Sequence, residues 1–475
     1  MPSCPSTEAS SCSAPDAHAG APTPRSTIYV AEEGSLGRKR DALKRLTTTW
    51  ASRTLASGRV AANLGRAAVA EARGSDASEV GAALVAQLDG MKGLAMKVGQ
   101  VMSYLDGPVP DEVQTALRKL QRGAEPMHLE AVEAVLTDAF GRTSAQLFER
   151  FDPEPVAAAS IGQVHRASLD GRPLAVKVQY PEIAKALKID LANADRLSTL
   201  ASLGTPLDLG GLIEELRGRV HEECDYLQEA ASQQHFRSLW AHRPDIWVPE
   251  VVEARCRGTV LTTDFVEGRD LYTFGAEASE AERTRAGEAI FSFAFHSIFA
   301  HSCFNGDPHP GNYLFADDGR VAFLDFGCVR YFDVDLIADW KRIATCILEG
   351  RRRDMPDVLR AAGFVHAEHK WDFDAQWEVM RHLYRPFLTR NFRYTREYVR
   401  ENHQALVTDN PNFRRTLMPP RWLLANRLQW GLNSVLATLN ATGDWPTLFR
   451  EAVAQPTVAG VRPPPLDPSD VPGEP

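Results

Sequence analysis

Side chains that could bind phosphate and a metal ion are concentrated between residues 301 and 330, in the run HSCFNGDPHPGNYLFADDGRVAFLDFGCVR. Asp307 and Asn312 are separated by four residues, and Asp325 opens a D-F-G tripeptide. Carboxylate and amide oxygens are the ligands that Mg²⁺ prefers, and Mg²⁺ in turn binds phosphate oxygens. Either motif alone is common by chance, but the two at this spacing predict a site for phosphate chemistry.

A tight hairpin is predicted between the two metal-binding candidates. If Asp318-Gly319 is a two-residue turn, Asn312 lies across the ladder from Asp325, with their Cβ atoms roughly 5 Å apart. We therefore expect Asn312 and Asp325 to hold Mg²⁺. Asp307, on the loop just before them, is expected to accept a proton from the attacking group or to orient it. The competing interpretation is a hairpin whose polar ends only cap a loop.

Lys177 is the second candidate for contact with phosphate. It lies in LAVKVQ, which follows Asp170-Gly171 and an earlier strand-like run, so a β-hairpin is predicted here. Because side chains alternate along a strand, Lys177 points away from the two flanking valines and needs a partner or water. A phosphate-bridging lysine commonly pairs with a carboxylate on a helix. The candidates are Asp225 and Glu229, which share one face of the predicted helix HEECDYLQEA.

A loop upstream of Lys177, in VAAASIGQVHRA, is the candidate for cradling the phosphates of a nucleotide. Such a loop usually carries G-x-G-x-x-G so that its backbone can approach the phosphates. Here alanines replace most of the glycines, and each added Cβ disfavours left-handed conformations, so we expect a stiffer loop. The residues predicted to lie along the nucleotide are Ala157, Ala158, Ala159, Ser160, Ile161, Gly162 and Gln163.

Composition excludes some classes of protein. The chain has 475 residues and a net charge of −9, which argues against a nucleic-acid binder that depends on overall basicity. Its seven cysteines form no CxxC pair, a pattern that fits a reducing compartment and predicts no zinc site. No run of roughly 18 apolar residues occurs, so no membrane span is predicted. We expect a cytoplasmic protein.

Residues 35–75 are rich in Arg, Lys and Ala, with apolar positions at roughly helical spacing. This pattern predicts a basic amphipathic helix region. Such a region either packs on the main body or contacts an anionic, lipid-rich membrane surface. In the second case the protein is peripherally membrane-associated.

The elements that position these residues predict an α+β, protein-kinase-like fold of two lobes, preceded by a helical N-terminal extension. A β-rich stretch is followed by a mainly helical one, which is the outline of such a fold. The predicted units are a disordered leader (1–27), a helical extension (28–125), a small nucleotide-binding lobe with a helical insert (126–268), a helical C-terminal lobe with the catalytic loop and DFG (269–450), and a disordered tail (451–475).

Together these features resemble the UbiB family of atypical kinase-like proteins, also called AarF or ADCK, over roughly residues 80–445. MKVGQ at 96–100 is similar to the family's KxGQ signature, with Lys97 and Gln100, and ECD at 223–225 is similar to its ExD motif, with Glu223 and Asp225. The alanine-rich loop and the Lys177–Glu229 pairing also belong to the family's pattern. The resemblance implies binding of ATP or ADP with Mg²⁺. It also implies that the helical N-terminal extension is packed across the active-site cleft, where Lys97 is a second catalytic candidate that contacts the ExD acids. Gln100, Glu223 and Asp225 are then regulatory contacts.

Two departures from the family pattern stand out. Asn305-Gly306 precedes Asp307 where many members have His-Ala. The two membrane-spanning C-terminal helices of the branch linked to bacterial ubiquinone synthesis have no counterpart, because RWLLANRLQWGLNSVLATL is too polar to span. The chain is therefore more similar to the soluble members.

Three functions remain open at this point. The first is an ATP-binding phosphotransferase or ATPase that acts in lipid or isoprenoid-quinone metabolism. The second is a nucleotide-gated scaffold with little phosphoryl transfer that works with lipid-synthesis enzymes at a membrane. The third is a small-molecule kinase of the aminoglycoside phosphotransferase type, which shares the catalytic loop but does not need KVGQ. An ordinary protein kinase is disfavoured because no A-P-E motif follows the DFG.

Overall fold

The computed structural model describes residues 126–159, 161–185, 187–189, 218, 222–306, 308–365, 370–413 and 419–467. The leader, the helical extension with its basic region and KxGQ motif, and the last residues of the tail lie outside this part of the chain. Within it, none of the helices combines the length and the apolar character that crossing a membrane requires.

The strands form one larger sheet and several short ones. Their bounds are β1 (Arg150–Ala158), β2 (Gly162–Leu169), β3 (Arg172–Gln179), β4 (Ile246–Trp247), β5 (Val260–Asp264), β6 (Cys303–Phe304), β7 (Tyr313–Phe315), β8 (Val321–Phe323), β9 (Arg330–Tyr331), β10 (Phe392–Arg393) and β11 (Thr442–Gly443). The small lobe contains the antiparallel order β1-β2-β3-β5. The large lobe contains β4-β8-β7, β6-β9 and β10-β11.

Helices make up most of the large lobe. Their bounds are α1 (Leu129–Phe140), α2 (Ser144–Leu147), α3 (Tyr226–Trp240), α4 (Leu271–Glu277), α5 (Glu280–His301), α6 (Val334–Leu348), α7 (Met355–Ala361), α8 (Phe373–Leu383), α9 (Arg385–Leu388), α10 (Arg396–His403), α11 (Pro420–Thr438) and α12 (Trp445–Ala454).

The hairpin that carries Lys177 forms as predicted. Leu169 pairs with Arg172, and the two residues between them, Asp170 (φ 52°) and Gly171 (φ 71°), both have positive φ. Two positive φ values match the right-handed twist of the flanking strands, which is why Asp-Gly favours this turn. The turn fixes the register of β2 against β3 over their whole length.

The long helix α5 is the centre of the large-lobe core. Ser279 caps it, and the side chains of Ser279 and Glu282 form a capping box that satisfies the first amides. Phe293 stacks on Phe323 of β8 at 3.7 Å between ring centroids, and Phe291 packs against Trp445 of α12 at 5.2 Å. Apolar side chains on several faces of the helix keep it buried between the β7–β8 hairpin and α12.

Helix α3 packs into the cores of both lobes. Tyr226 and Ala230, in its first half, belong to the small-lobe core, whereas Phe236 and Trp240 belong to the large-lobe core. Directly after it, β4 pairs in parallel with β8 of the large lobe. The predicted boundary at 268/269 is therefore too sharp, because a helix with apolar residues along its whole length is shared by the two lobes.

The prediction of a disordered tail from residue 451 is wrong for residues 451–467. Helix α12 continues to Ala454, and residues 455–467, here called the C-terminal strap, lie extended on the surface. Along the strap, the Val458 amide donates to Ala300 O at 2.8 Å and the Leu466 amide to Leu227 O at 3.3 Å. Proline richness removes some donors but leaves the carbonyls and the remaining amides free to pair, so it does not exclude an ordered segment.

Candidate active site

Lys177 and Glu229 form an ion pair at the junction of β3 and α3. The Lys177 Nζ lies 2.7 and 2.9 Å from the two Glu229 carboxylate oxygens. The neighbours Val176 and Val178 are fully buried in the small-lobe core, so strand alternation directs Lys177 to the opposite face, as predicted. Its ammonium also lies 4.8 Å from the centroid of the Tyr226 ring, a favourable cation–π distance.

The electrostatics of this pair hold Lys177 in its charged form. Burial opposes the charge, but the nearby Glu229 carboxylate outweighs it, with Tyr226 and Asp325 adding to the effect, and raises the pKa of Lys177 above its ordinary value. The backbone of Gly327 also lies against the Glu229 carboxylate. Glu229 therefore joins a lysine of the small lobe to the DFG segment of the large lobe.

The DFG residues lie directly beside this pair. Phe326 is buried and packs on Phe236 of α3 at 5.2 Å between centroids, while the Gly327 amide donates to the Asp325 Oδ1 at 2.9 Å. A Cβ placed on Gly327 would lie 3.3 Å from Glu229 Oε2 and 3.4 Å from Asp325 Oδ1. The structure therefore brings Lys177, Glu229 and Asp325 together, as the sequence predicted.

The register predicted for the β7–β8 hairpin is wrong by one residue. Phe315 pairs with Val321, and Asn312 O accepts from the Leu324 amide at 3.0 Å, so Asn312 does not lie across from Asp325. The turn has three residues rather than two, because Gly319 takes φ 90° and the Asp318 carboxylate accepts from the Arg320 amide.

The regular pairing of the hairpin ends before Asp325. Asn312 closes a short 3₁₀ turn at the start of β7, and Asp325 follows β8 by two residues. Strand alternation therefore does not govern which way Asp325 points. The backbone bond between Asn312 and Leu324 still keeps Asn312 at the same end of the hairpin as Asp325.

Asp307 lies outside the described residues, but the loop on either side of it is tightly packed. Gly306 has φ 83°, and a Cβ there would lie 1.7 Å from Cys328 O, so only glycine fits against the segment that follows the DFG. Pro308 packs against Gly431 of α11, where a Cβ would lie 2.1 Å from the proline Cγ. The His309 ring accepts from the Gly311 amide at 3.1 Å, a structural role in the loop.

The acids of the ECD motif have partners of their own. Asp225 caps α3, and its Oδ1 accepts from the amides of Leu227 and Gln228 at 3.1 and 3.2 Å. Glu223 Oε1 accepts from the Cys328 thiol at 3.2 Å. The residues predicted to meet these acids, Lys97 and Gln100, lie outside the described part of the chain. Contact between them stays a prediction.

The alanine-rich loop closes on itself between β1 and β2, where the Ala159 amide donates to Gly162 O at 2.9 Å. Gly162 is required for this close approach, because a Cβ would lie 2.3 Å from Val178 O. Ala157 and Ala158 pair with the start of β2, so they are positioned by the sheet. Ser160 lies outside the described residues.

Two side chains of this loop point into the small-lobe core rather than toward a nucleotide. Ile161 and Gln163 are each about 1 % exposed. The Gln163 Oε1 accepts from the Met127 amide at 2.7 Å, and its Nε2 lies 2.8 Å from the His165 Nε2. These polar atoms are engaged inside the lobe, and contact of Gln163 with a nucleotide stays a prediction.

Three site residues were not predicted from the sequence. They are Tyr226 beneath the Lys177 ammonium, Cys328 against Glu223, and Gly431 against Pro308. A weak signal existed for Tyr226, which is three residues before Glu229 and so shares its helix face. No local signal could have found Gly431, which is more than a hundred residues from the loop it supports.

The donor set at the cleft fits Mg²⁺. Asp325 has a carboxylate that the Gly327 amide orients, and the Asn312 backbone is held at the same end of the hairpin, which makes the Asn312 side chain the second candidate donor. Within the described residues no group of three or more acidic, histidine or cysteine side chains is arranged to hold a metal. Mg²⁺ usually retains waters and is held by one or two carboxylates plus phosphate oxygens, so a small donor set suits it.

Comparison with known proteins supports the fold and the family. The solved structure of Rv3197 with erythromycin from Mycobacterium tuberculosis matches with a TM-score of 0.61 and 27% identity, over 76% of this chain and 92% of that one. The predicted two-lobed, kinase-like α+β fold is confirmed; the predicted N-terminal extension lies outside the described residues.

Relatives of known sequence carry kinase names. The mitochondrial atypical kinase coq-8 of Caenorhabditis elegans is 32% identical over 59% of this chain but only 38% of its own length. A probable serine/threonine-protein kinase, abkA, of Dictyostelium discoideum is 31% identical over 62% of this chain and 55% of its own length. The mitochondrial atypical kinase COQ8 of Saccharomyces cerevisiae is 28% identical over 77% of this chain and 74% of its own length. The chain thus spans only part of these longer proteins.

The model of the ABC1 atypical kinase-like domain matches residues 119–359, which is more than half of the chain. This match covers the alanine-rich loop, Lys177, Glu229, the catalytic loop and the DFG. The resemblance to the UbiB, or AarF, proteins is confirmed, and this chain belongs to the ABC1 atypical kinase-like family.

Proposed function

We propose that this chain binds ATP or ADP with Mg²⁺ between its lobes and acts as an atypical kinase or ATPase in lipid or isoprenoid-quinone metabolism. The observation that carries the proposal is the Lys177–Glu229 ion pair formed beside Asp325. A charged lysine that is 20% exposed and held by a buried carboxylate is costly to keep in a cleft unless the site uses it. Relatives named as the atypical kinases coq-8 and COQ8 support the same reading.

Each residue has a distinct role in this proposal. Lys177 would bind the α- and β-phosphates, and Glu229 would fix its position and charge. Asn312 and Asp325 would hold Mg²⁺, which neutralises charge on the phosphate oxygens when bound. Asp307 would orient the attacking hydroxyl or water, or accept its proton.

A nucleotide-gated scaffold remains the second candidate function, and the alanine-rich loop favours it. Alanines at 157–159 limit how far the backbone can adapt to moving phosphates. Nucleotide binding could then shift the lobes without efficient phosphoryl transfer. In that case the partners would be lipid-synthesis enzymes at a membrane.

The test uses the full chain with Mg-ATP, with and without liposomes of anionic phospholipid. We expect phosphate release by wild type and a loss of about 100-fold or more in Asp325→Asn, because one removed group that stabilises developing charge costs that much. Asp335→Asn, at an exposed acid at the start of α6, is the matched control and should keep wild-type turnover.

Two outcomes would decide against parts of the proposal. Unchanged phosphate release by Asp325→Asn would remove this residue from the metal site. Wild-type protein that binds a fluorescent ADP analogue but releases no phosphate under any lipid condition would establish the scaffold function instead.

A further inference from the structure

The C-terminal strap (455–467) starts on the large lobe, where it is held by several hydrogen bonds. The Lys341 ammonium of α6 donates to Gln455 O at 2.6 Å and to the Thr457 hydroxyl at 2.7 Å. That hydroxyl in turn donates to Phe299 O at 2.9 Å, and the Ser302 hydroxyl donates to Val458 O at 2.8 Å. The strap is therefore anchored along the C-terminal end of α5.

Its other end contacts the first turn of α3. Arg462 pairs with Glu222, with Nη2 2.7 Å from Oε1. Two residues of α3 also contact the strap. The Gln228 side chain donates to Pro463 O at 3.1 Å, and Leu227 O accepts from the Leu466 amide at 3.3 Å. The strap thus joins the large lobe to the turn of α3 that directly precedes Glu229.

Glu222 links the strap to the segment that follows the DFG. Besides Arg462 it binds Arg330, which lies in β9 three residues after Gly327. Glu222 is 23% exposed, so this two-arginine pairing is partly shielded from solvent. One carboxylate, four residues before the first residue of α3, therefore couples the strap to the DFG segment.

We propose that the strap holds α3 in the position from which Glu229 reaches Lys177, with Arg462 as the positioning residue. This rests on the proposed function, because the Lys177–Glu229 pair matters only if the cleft binds nucleotide. Loss of the strap frees the first turn of α3 to move away from β3. Nucleotide binding then weakens because the ion pair must be re-formed at each binding event.

The strap is built for positioning rather than for core stability. Val458 and Val461 are 61% and 70% exposed, so the strap buries little apolar surface, and Leu466 is its main contact with the small-lobe core. Three consecutive prolines, 463–465, limit the conformations open to the free strap and so reduce the entropy lost on docking. Its removal should leave both lobes folded.

The experiment compares the full chain with a chain that ends at Gln455 and with Arg462→Ala. One measurement is the dissociation constant of a fluorescent ADP analogue with Mg²⁺; the other is amide hydrogen exchange along α3. We expect the shortened chain to bind about threefold to tenfold more weakly, since several hydrogen bonds are lost. Arg462→Ala should weaken binding by about threefold, as for a partly exposed ion pair. Exchange should rise in the first turns of α3 and not in α5.

Controls separate positioning from general loss of structure. Arg462→Lys keeps the cation and should bind as wild type does. Arg360→Ala removes an arginine that pairs with Asp357 in α7, and should also change nothing. If the shortened chain does not fold, Arg462→Ala carries the test, because it alters one surface side chain.

The proposal is overturned if affinity and α3 exchange are unchanged without the strap, or if exchange rises evenly through the molecule. If the wild type binds no nucleotide, the proposed function is wrong, but the proposal for the strap is not thereby decided. Hydrogen exchange along α3 then still decides whether the strap positions this helix.

Discussion

Glu229 is the residue at which the small lobe, α3 and the DFG segment meet. Its side chain is 2% exposed, binds the Lys177 ammonium with both oxygens and lies against Gly327 of the DFG segment. Removing one partner of such a pair leaves an uncompensated charge in a desolvated place. Removal of the Glu229 charge should therefore also destabilise the charged form of Lys177 in the folded protein.

The variant Glu229→Gln tests this directly. We expect it to lower the free energy of unfolding by about 3 kcal/mol, the usual cost of breaking a buried ion pair. Nucleotide affinity should fall as well, because Lys177 loses its fixed position. Chemical denaturation monitored by tryptophan fluorescence measures the first effect, and binding of a fluorescent ADP analogue measures the second.

A double variant supplies the control for this interpretation. Lys177→Met with Glu229→Met removes both charges and should recover part of the lost stability, although not the affinity. If the double variant is less stable than Glu229→Gln alone, packing rather than an unpaired charge sets the cost, and the electrostatic account is wrong.

At the scale of elements, α11 supports the catalytic loop from outside the cleft. Gly431 lets this helix approach Pro308, the residue next to Asp307. Since a Cβ at this position would overlap the proline ring, any larger residue must push the loop or the helix. The helix is thus a structural requirement of the site although none of its residues belongs to a motif.

Gly431→Ala should therefore reduce phosphate release more than it reduces stability. Overpacking of this kind costs about 1–3 kcal/mol in unfolding free energy, which leaves the chain folded. Displacement of the loop should lower turnover by about tenfold or more, since small misplacements of reacting groups are costly. Steady-state phosphate release and thermal melting, measured on the same preparation, separate the two effects.

The matched control lies on the same helix. Ser434→Ala replaces an exposed side chain one turn away and should leave turnover unchanged. Combining Gly431→Ala with Pro308→Ala removes the overlapping ring carbons and should restore part of the activity. No recovery in that combination would mean that the helix acts on the site by another route.

The two Asp-Gly turns show what local sequence can predict about elements. At Asp170-Gly171 the turn is the predicted two-residue one, whereas Asp318-Gly319 lies in a three-residue turn. The same dipeptide supports both, because Gly319 can also close a longer loop and Asp318 can bond the Arg320 amide. The other edge of β8 pairs with β4, which is distant in the sequence, and this pairing accompanies the three-residue turn.

At the scale of the whole molecule, buried and half-buried histidines make stability depend on pH. In the small lobe, burial lowers the pKa of His165 below its ordinary 6.5, and in the large lobe it does the same for His296 and His301. His165 Nδ1 donates to Asp152 O, so its Nε2 must accept from the Gln163 amide while the ring is neutral. A protonated ring would place two donors against each other.

The direction in which stability changes with pH follows from these lowered pKa values. The unfolded chain takes up protons near pH 6.5, before the folded one does, so the stabilisation is present above that pH and is lost as pH falls. We expect unfolding free energy to fall between pH 7 and pH 5, by up to about 1.4 kcal/mol per pH unit for each such histidine. Urea denaturation at each pH measures the free energy of unfolding, and in His165→Gln this free energy should change less steeply with pH.

The control for this prediction is a variant that is destabilised without losing a titrating group. Leu174→Ala opens the same small-lobe core and should keep the wild-type slope at a lower overall stability. An equal flattening in both variants would attribute the pH dependence to something other than His165.

The sequence by itself determined the direction of the Lys177 side chain and the turn of the first β-hairpin, which follow from strand alternation and a turn that needs positive φ, both of which are local. It left Asp225 and Glu229 open as partners of Lys177, and only the resemblance to a family favoured Glu229. Only the tertiary structure decided the features that bring together residues far apart in the sequence. The register of β7 against β8, the sharing of α3 between two cores, Gly431 beneath the loop and the C-terminal strap each depend on contacts with residues distant in the chain. Local propensity carries no information about such contacts, because packing and long-range hydrogen bonds choose among conformations that are locally almost equal in energy.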